Sequence, residues 1–236
     1  MSSPHPAIVI TTLIDHLPAG ARVLDLGAGS GTFPYERYPG LRIAAADLHP
    51  RSEARERFGG RLARARADRL PFPDAGFDLV IAHWLFEHVD DLTGTYDEVR
   101  RVLGEGGLLA VAVPNSLSFE DRLYRFVSHV YKYALLHFSK RIEHVQVLTF
   151  LTVNQELYRR GFRLLRFREE EAGYCWLEVR QLRPFRPLIL GVLGALRRLG
   201  LDLFKGANYR MLYQVDGAAS GGANPDGTNP GGGYLT

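Results

Sequence analysis

A single cysteine, Cys175, excludes an intramolecular disulfide and a cysteine-built zinc site, and it suits a reducing cytoplasm. Long hydrophobic runs are equally scarce. The amino-terminal stretch MSSPHPAIVITTLIDHL lacks a basic leader region and breaks its apolar run at Asp15 and His16, which argues against a signal peptide. The longest later stretch, Pro187 to Leu196, stops at Arg197 and Arg198, short of the ~20 residues that cross a bilayer. Clustered basic residues are also missing. The formal charge is +3, mostly from Arg scattered along the chain, so no nucleic-acid footprint is expected. No pair of carboxylates or metal-spaced cluster points to a bound metal. What the chain does have is 236 residues, 46% of them hydrophobic, enough for one ordinary domain with an insertion.

Apolar segments alternate between strand and helix patterns. Ile8, Leu13 and Leu17 predict a short amphipathic helix closed by Pro18-Ala19-Gly20. Strands follow at Arg22–Leu26 and at Leu41–Ala46, the second ending on Asp47. Arg51 to Arg66 reads as a helix running into a weak third strand that ends near Asp68. Phe77–Ala82 is a near-continuous apolar strand, as a parallel strand covered on both faces requires. Leu92–Leu103 has helical spacing, and Glu105-Gly106-Gly107 turns the chain into an apolar strand at Leu108–Val113. This alternation predicts a doubly wound parallel α/β sheet. Further on, Ser118 and Thr152-Val153-Asn154-Gln155 open helices with capping-box patterns. The last two strands fall at Leu164–Phe167 and Tyr209–Val215, separated by an apolar helical insertion at Pro187–Phe204. Residues 1–216 are expected to form one domain, and 217–236, rich in Gly, Asn, Pro and Ser, a disordered tail.

The most informative stretch is Val23-Leu24-Asp25-Leu26-Gly27-Ala28-Gly29-Ser30-Gly31. It places an acid at a strand end and then three alternating glycines, which let the backbone turn sharply and approach a ligand closely. A dinucleotide fingerprint would carry its third glycine at position 32, where this chain has Thr32. Pyrophosphate also disfavours a neighbouring acid, whereas Asp25 suits the cationic amino group of an amino-acid-bearing cofactor. Asp47, ending the second strand, is placed to accept both hydroxyls of a ribose, and Asp68 to accept from an adenine amino group. All three acids fall at the carboxyl ends of successive strands, the edge at which open α/β sheets bind ligands.

The ordered set DLGAGSG, Asp47, ADRLPFPDAGFDLV, LFEHVDD and RVLGEGGLLAVAVPN resembles the class I S-adenosylmethionine-dependent methyltransferases, in the quinone and small-molecule subgroup. The resemblance covers roughly residues 20–115 and returns in TFLTVNQELYRRGF. It implies a mostly parallel, seven-stranded Rossmann-like sheet, with the cofactor in the first half and a helical lid and insertion in residues 116–216. S-adenosylmethionine is the cofactor it implies. Asp25, Gly27, Ala28, Gly29 and Gly31 would hold the methionine part, Asp47 and Leu48 the ribose, and Asp68 with Arg69 the adenine. His83 would line the cofactor's other side.

Methyl transfer is an in-line displacement that asks the protein for alignment and exclusion of water. A hydroxyl acceptor must also lose a proton. His88, following the fourth strand, is the expected base, with Glu87, His83 and His144 as weaker candidates. Phe119, Leu123, Phe126, Val130 and Tyr133 share a helical face that reads first as core, and alternatively as a lid over an apolar or aromatic acceptor. The insertion is amphipathic and admits peripheral membrane contact, although internal packing or a dimer contact is preferred. The expected function is methyl transfer to a small-molecule acceptor in the cytoplasm. The rivals are a catalytically silent cofactor-binding protein of the same fold and, less favoured, a nucleotide-dependent oxidoreductase.

Overall fold

The computed structural model of the chain describes residues 13–118, 122, 146–170, 187, 191–192, 194–195, 198–199 and 208–217. The strands are β1 (Arg22–Leu26), β2 (Arg42–Asp47), β3 (Leu62–Arg64), β4 (Phe77–His83), β5 (Leu103–Pro114), β6 (Phe162–Glu170) and β7 (Asn208–Val215). The helices are α1 (Ser52–Phe58), α2 (Leu92–Val102) and α3 (Phe150–Tyr158). All seven strands join one sheet in the order β3-β2-β1-β4-β5-β7-β6. The ladder is parallel from β3 to β5, while β7 runs antiparallel to both β5 and β6.

Burial on both faces explains why the central strands are mostly apolar. Leu79, Val80, Ile81 and Ala82 alternate between two cores, and none is exposed to solvent. One face packs Leu24, Val80, Val111 and Tyr213 against Tyr96, Val99 and Val102 of α2. The other packs Val23, Ala45 and Ile81 against Ile14, Phe33, Tyr35 and Phe58. Asp91 caps α2 by accepting a hydrogen bond from the Gly94 backbone N–H at 2.9 Å. At the opposite edge of the sheet from the glycine turn, Arg22 ties β1 to β4 through Asp78, donating from Nη2 to Oδ1 at 2.6 Å.

Several boundaries differ from the sequence expectation, among them β6, expected at Leu164–Phe167, which extends at both ends to Phe162–Glu170 by pairing with the full length of β7. The third strand ends at Arg64 rather than near Asp68, because Asp68 belongs to a turn closed by a bridge between Arg66 and Arg69. The fifth strand begins at Leu103, with Glu105-Gly106-Gly107 looping out inside its span. Phe77 pairs with Leu103, and Leu79 pairs next with Leu108. The helix expected to open at Thr152 is capped three residues earlier, where Thr149 and Thr152 form a reciprocal capping box. The helix face from Phe119 to Tyr133, most of the 187–204 insertion, His144, Cys175 and the tail beyond 217 lie outside the described residues.

Candidate functional site

The sheet reverses its strand order between β1 and β4, and the crevice above such a switch point is where open α/β folds bind ligands. β1 delivers Asp25 to this edge, and the next five residues form a turn held by glycine geometry. Gly27, Gly29 and Gly31 have φ of 77°, 55° and 117°, a region that residues with a Cβ rarely adopt. A Cβ on Gly27 would meet Leu85 Cδ1 at 2.8 Å, and one on Gly31 would meet Arg57 Nη1 at 2.5 Å. At Gly29 nothing lies within 4 Å of that position, so the backbone there is open to close approach. Ala28 is buried beneath the turn.

Asp25 is fully buried and organises this turn from below. Its oxygens accept from the Thr32 backbone N–H at 3.2 Å, from Thr32 Oγ1 at 2.7 Å, and from the Tyr35 hydroxyl. Burial raises its pKa to about 7 against the opposing effect of the Thr32 bonds, with the charge of Asp47 adding to the rise. Thr32 and Tyr35 are the functional partners that sequence reasoning missed. Thr32 counted only as a departure from a dinucleotide pattern, and Tyr35 sits in a single 3-10 turn with no periodic signal.

Asp47, at the end of β2, fastens the turn from the side. Its Oδ2 accepts from the Gly29 N–H at 2.8 Å and its Oδ1 from the His49 N–H at 2.7 Å. Leu48 beside it is exposed. Asp68 is held by Arg66 through bonds of 2.8 and 2.6 Å, and this pairing pulls its pKa below the ordinary carboxylate value. The segment that follows is anchored by Arg101, which donates to the carbonyls of Leu70 and Phe72 and to the carboxylate of Asp74. Arg69 is exposed at the turn.

β4 brings His83 to the same edge, on the same face as Asp25 and one residue pair further along, since Asp25 is in register with Ile81. Its buried Nε2 has no hydrogen-bond partner among the described residues. Burial first, and then the charge of Arg210, lower its pKa to about 4. Arg210 reaches this row because His83 and Arg210 both pair with Ala112 on β5. Trp84 follows with φ of 56°, an outlier for a bulky residue at the lip of the crevice, and its ring meets that of His83 edge-on. His88 lies one turn on, with its backbone N–H bonded to the Leu85 carbonyl. The His88 side chain is 39% exposed, and its Nε2 lies 3.8 Å from Oε1 of the fully buried Glu87. Gln146 clamps this loop through the carbonyls of Glu87, Val89 and Asp90.

The structure thus gathers Asp25, Asp47, the glycines and His83 around one crevice, with Asp68 and Arg69 on its adjoining turn and His88 beyond β4. Residues 24–111 match the family described as a methyltransferase domain. Over 167 residues the chain is 35% identical to the malonyl-[acyl-carrier protein] O-methyltransferase of Geobacter sulfurreducens, covering 65% of this chain and 60% of that protein. It is 30% identical to the ubiquinone/menaquinone biosynthesis C-methyltransferase UbiE of Desulfotalea psychrophila, over 50% of this chain and 51% of that one. The chain therefore spans about half to three fifths of the length of these relatives. In fold it resembles the crystal structure of a putative methyltransferase from Bacillus halodurans, with a TM-score of 0.64 at 17% identity, covering 90% of this chain and 100% of that one.

Proposed function

We propose that this chain is a class I S-adenosylmethionine-dependent methyltransferase, a reading supported by the match of residues 24–111 to a methyltransferase domain, and that it transfers a methyl group to an apolar or aromatic small molecule in the cytoplasm. The observation that carries this reading is the Gly27–Gly31 turn, open at Gly29 and pinned to Asp25 and Asp47 at the switch point of the sheet. That cradle fits S-adenosylmethionine: unobstructed backbone at Gly29, a partly exposed carboxylate beside it, and an imidazole across the crevice. When bound, the cofactor supplies an electrophilic methyl carbon on a sulfonium.

Gly27, Ala28, Gly29 and Gly31 would hold its amino-acid end, and Asp25 would favour the cationic amino group from beneath the turn. Asp47 with Leu48 would take the ribose, Asp68 with Arg69 the adenine, and His83 the opposite wall. For a hydroxyl acceptor, His88 would accept the departing proton at Nε2. No helix among the described residues is long and apolar enough to cross a membrane. A cytoplasmic setting is supported by the lone cysteine.

Titration calorimetry with S-adenosylhomocysteine tests the proposal. Heat of binding is expected for this compound and not for NAD. Asp47→Ala should weaken affinity by roughly 1.5–3 kcal/mol, the worth of charge-assisted hydrogen bonds. Folded protein that binds neither compound would remove the proposed cofactor, and unchanged affinity in the variant would remove Asp47 from the site.

A further inference from the structure

Seven glycines among the described residues have a positive φ, and two residues with a side chain share it, Ala75 at 51° and Trp84 at 56°. Ala75 carries one methyl group in an exposed turn. Trp84 carries an indole at the carboxyl edge of the sheet. Glycine takes this conformation without a clash, whereas a bulky side chain is disfavoured there. A tryptophan that persists at such a position is held by its surroundings, and residues of this kind gather at ligand sites.

The backbone around Trp84 is tied down on both sides. Its N–H donates to the Ala112 carbonyl of β5 at 2.9 Å, one step beyond the pairing of His83 with Ala112. The next residue, Leu85, folds back over the glycine turn, with its Cδ1 2.8 Å from the place of a Cβ on Gly27. The Leu85 carbonyl then accepts from the His88 N–H. Glycine at position 84 would make the same turn with less strain, so the indole itself is the feature that needs a cause. Packing does not supply one. Trp84 is half-buried and belongs to neither core cluster, whereas Ile81, Ala82, Leu85 and Phe86 around it all do. Among the described residues its ring meets that of His83, with centroids 5.8 Å apart and planes at 85°.

The strand order places this indole relative to the cofactor residues. Those proposed for adenine, ribose and the amino-acid end follow β3, β2 and β1 in turn, and β4 and β5 come next. Trp84 therefore stands past the amino-acid end, on the side left for the acceptor. We propose that Trp84 is a specificity-determining residue, its indole the wall against which a planar aromatic acceptor stacks. A rigid indole offers a large apolar face and favours another π system over a saturated one of equal size. The neighbouring imidazole adds a polar contact. His83 Nε2 is buried without a hydrogen-bond partner among the described residues, and it suits an oxygen substituent on the ring. This assignment rests on the methyl-transfer reading and narrows its acceptor from apolar or aromatic to flat aromatic.

Trp84 and Trp176 are the two tryptophans of the chain, so Trp176→Phe leaves the Trp84 indole N–H as a single nitrogen-15 resonance. The probes are 2-naphthol and decahydro-2-naphthol, one skeleton flat and saturated, titrated into the full chain with and without S-adenosylhomocysteine. 2-Naphthol should shift that resonance by ring current and bind about fivefold or more tightly than its saturated analogue. Trp84→Leu should weaken 2-naphthol by about fivefold or more, and Trp84→Phe should restore most of the loss. Heat of binding for S-adenosylhomocysteine should be unchanged in both. Trp84→Gly should melt above Trp84→Ala, because glycine alone is unstrained at this φ. Equal affinity for the two probes, an indole resonance that stays still, or a Trp84→Leu variant that holds 2-naphthol like the parent would overturn the assignment. So would a parent that does not bind 2-naphthol, or a glycine variant that melts below the alanine one. A parent that binds 2-naphthol on the indole but not S-adenosylhomocysteine would instead sink the methyl-transfer reading and leave the aromatic wall standing.

Discussion

Asp25 and His83 sit on one face of the sheet and oppose each other in how they make stability depend on pH. Asp25 titrates at about 7 in the folded chain, against 3.8 for a free carboxyl. Its contribution is fully present below the free value and is lost as pH rises through about 7. His83 is lowered from 6.5 to about 4, so its contribution is present above 6.5 and is lost as pH falls through about 4. Between about 4 and 6.5 the two largely offset. Asp25→Asn should therefore grow more stable with rising pH across that window, and His83→Gln less stable. Denaturant midpoints measured across the window check both signs; parallel profiles in the two variants would show that neither burial is felt. His88 bears on rate rather than stability, being partly exposed and outside both cores. If it takes the proton from a hydroxyl acceptor, His88→Ala should lower kcat by ~10²–10⁴ while affinity for S-adenosylhomocysteine stays unchanged. The rise of the wild-type rate with pH should vanish with it. A variant that turns over at the parent rate would leave alignment alone as the chain's contribution.

At the scale of elements, what was legible in the sequence is what burial dictates. β1 and β4 stand where their apolar runs place them because a strand covered on both faces is built mainly of apolar side chains, with the hydrogen-bonded Asp25 as the buried exception. β3 was misjudged because three residues at the sheet edge, none fully buried, leave little hydrophobic pattern. The start of α3 was displaced by one turn because two threonines three apart can cap one another, and the sequence pattern was matched to Gln155 instead. The glycine turn was legible as a turn that requires glycine, since Gly27 and Gly31 stand where a Cβ would collide. Its support was not. Tyr35 reaches Asp25 from a 3-10 turn ten residues away, and Arg101 holds the Leu70–Asp74 loop from a helix about thirty residues on. Such long-range polar contacts leave no local period to read. The loops at the carboxyl edge are therefore fixed by residues that no motif would single out.

At the scale of the molecule, the two halves of the chain share one sheet and one core. β7 lies between β5 and β6, and the core that holds Leu24 and Val80 also holds Leu148, Val153, Phe162 and Tyr213. Neither half can bury its apolar surface without the other, so residues 1–216 should unfold as one cooperative unit. The cofactor residues proposed above lie within 25–83, yet a ligand bound there should protect the whole. S-adenosylhomocysteine at about 100 times its Kd adds about 2.7 kcal/mol, by mass action on the folded state. At roughly 2–4 °C per kcal/mol for a chain of this size, the melting temperature should rise by roughly 5–11 °C. Scanning calorimetry with and without S-adenosylhomocysteine should show a single peak that moves as a unit, with calorimetric and van't Hoff enthalpies equal. A second peak that S-adenosylhomocysteine leaves in place would mean that the second half of the chain folds separately. The antiparallel β7 strand would then be an attachment to the cofactor half rather than the element that joins the two.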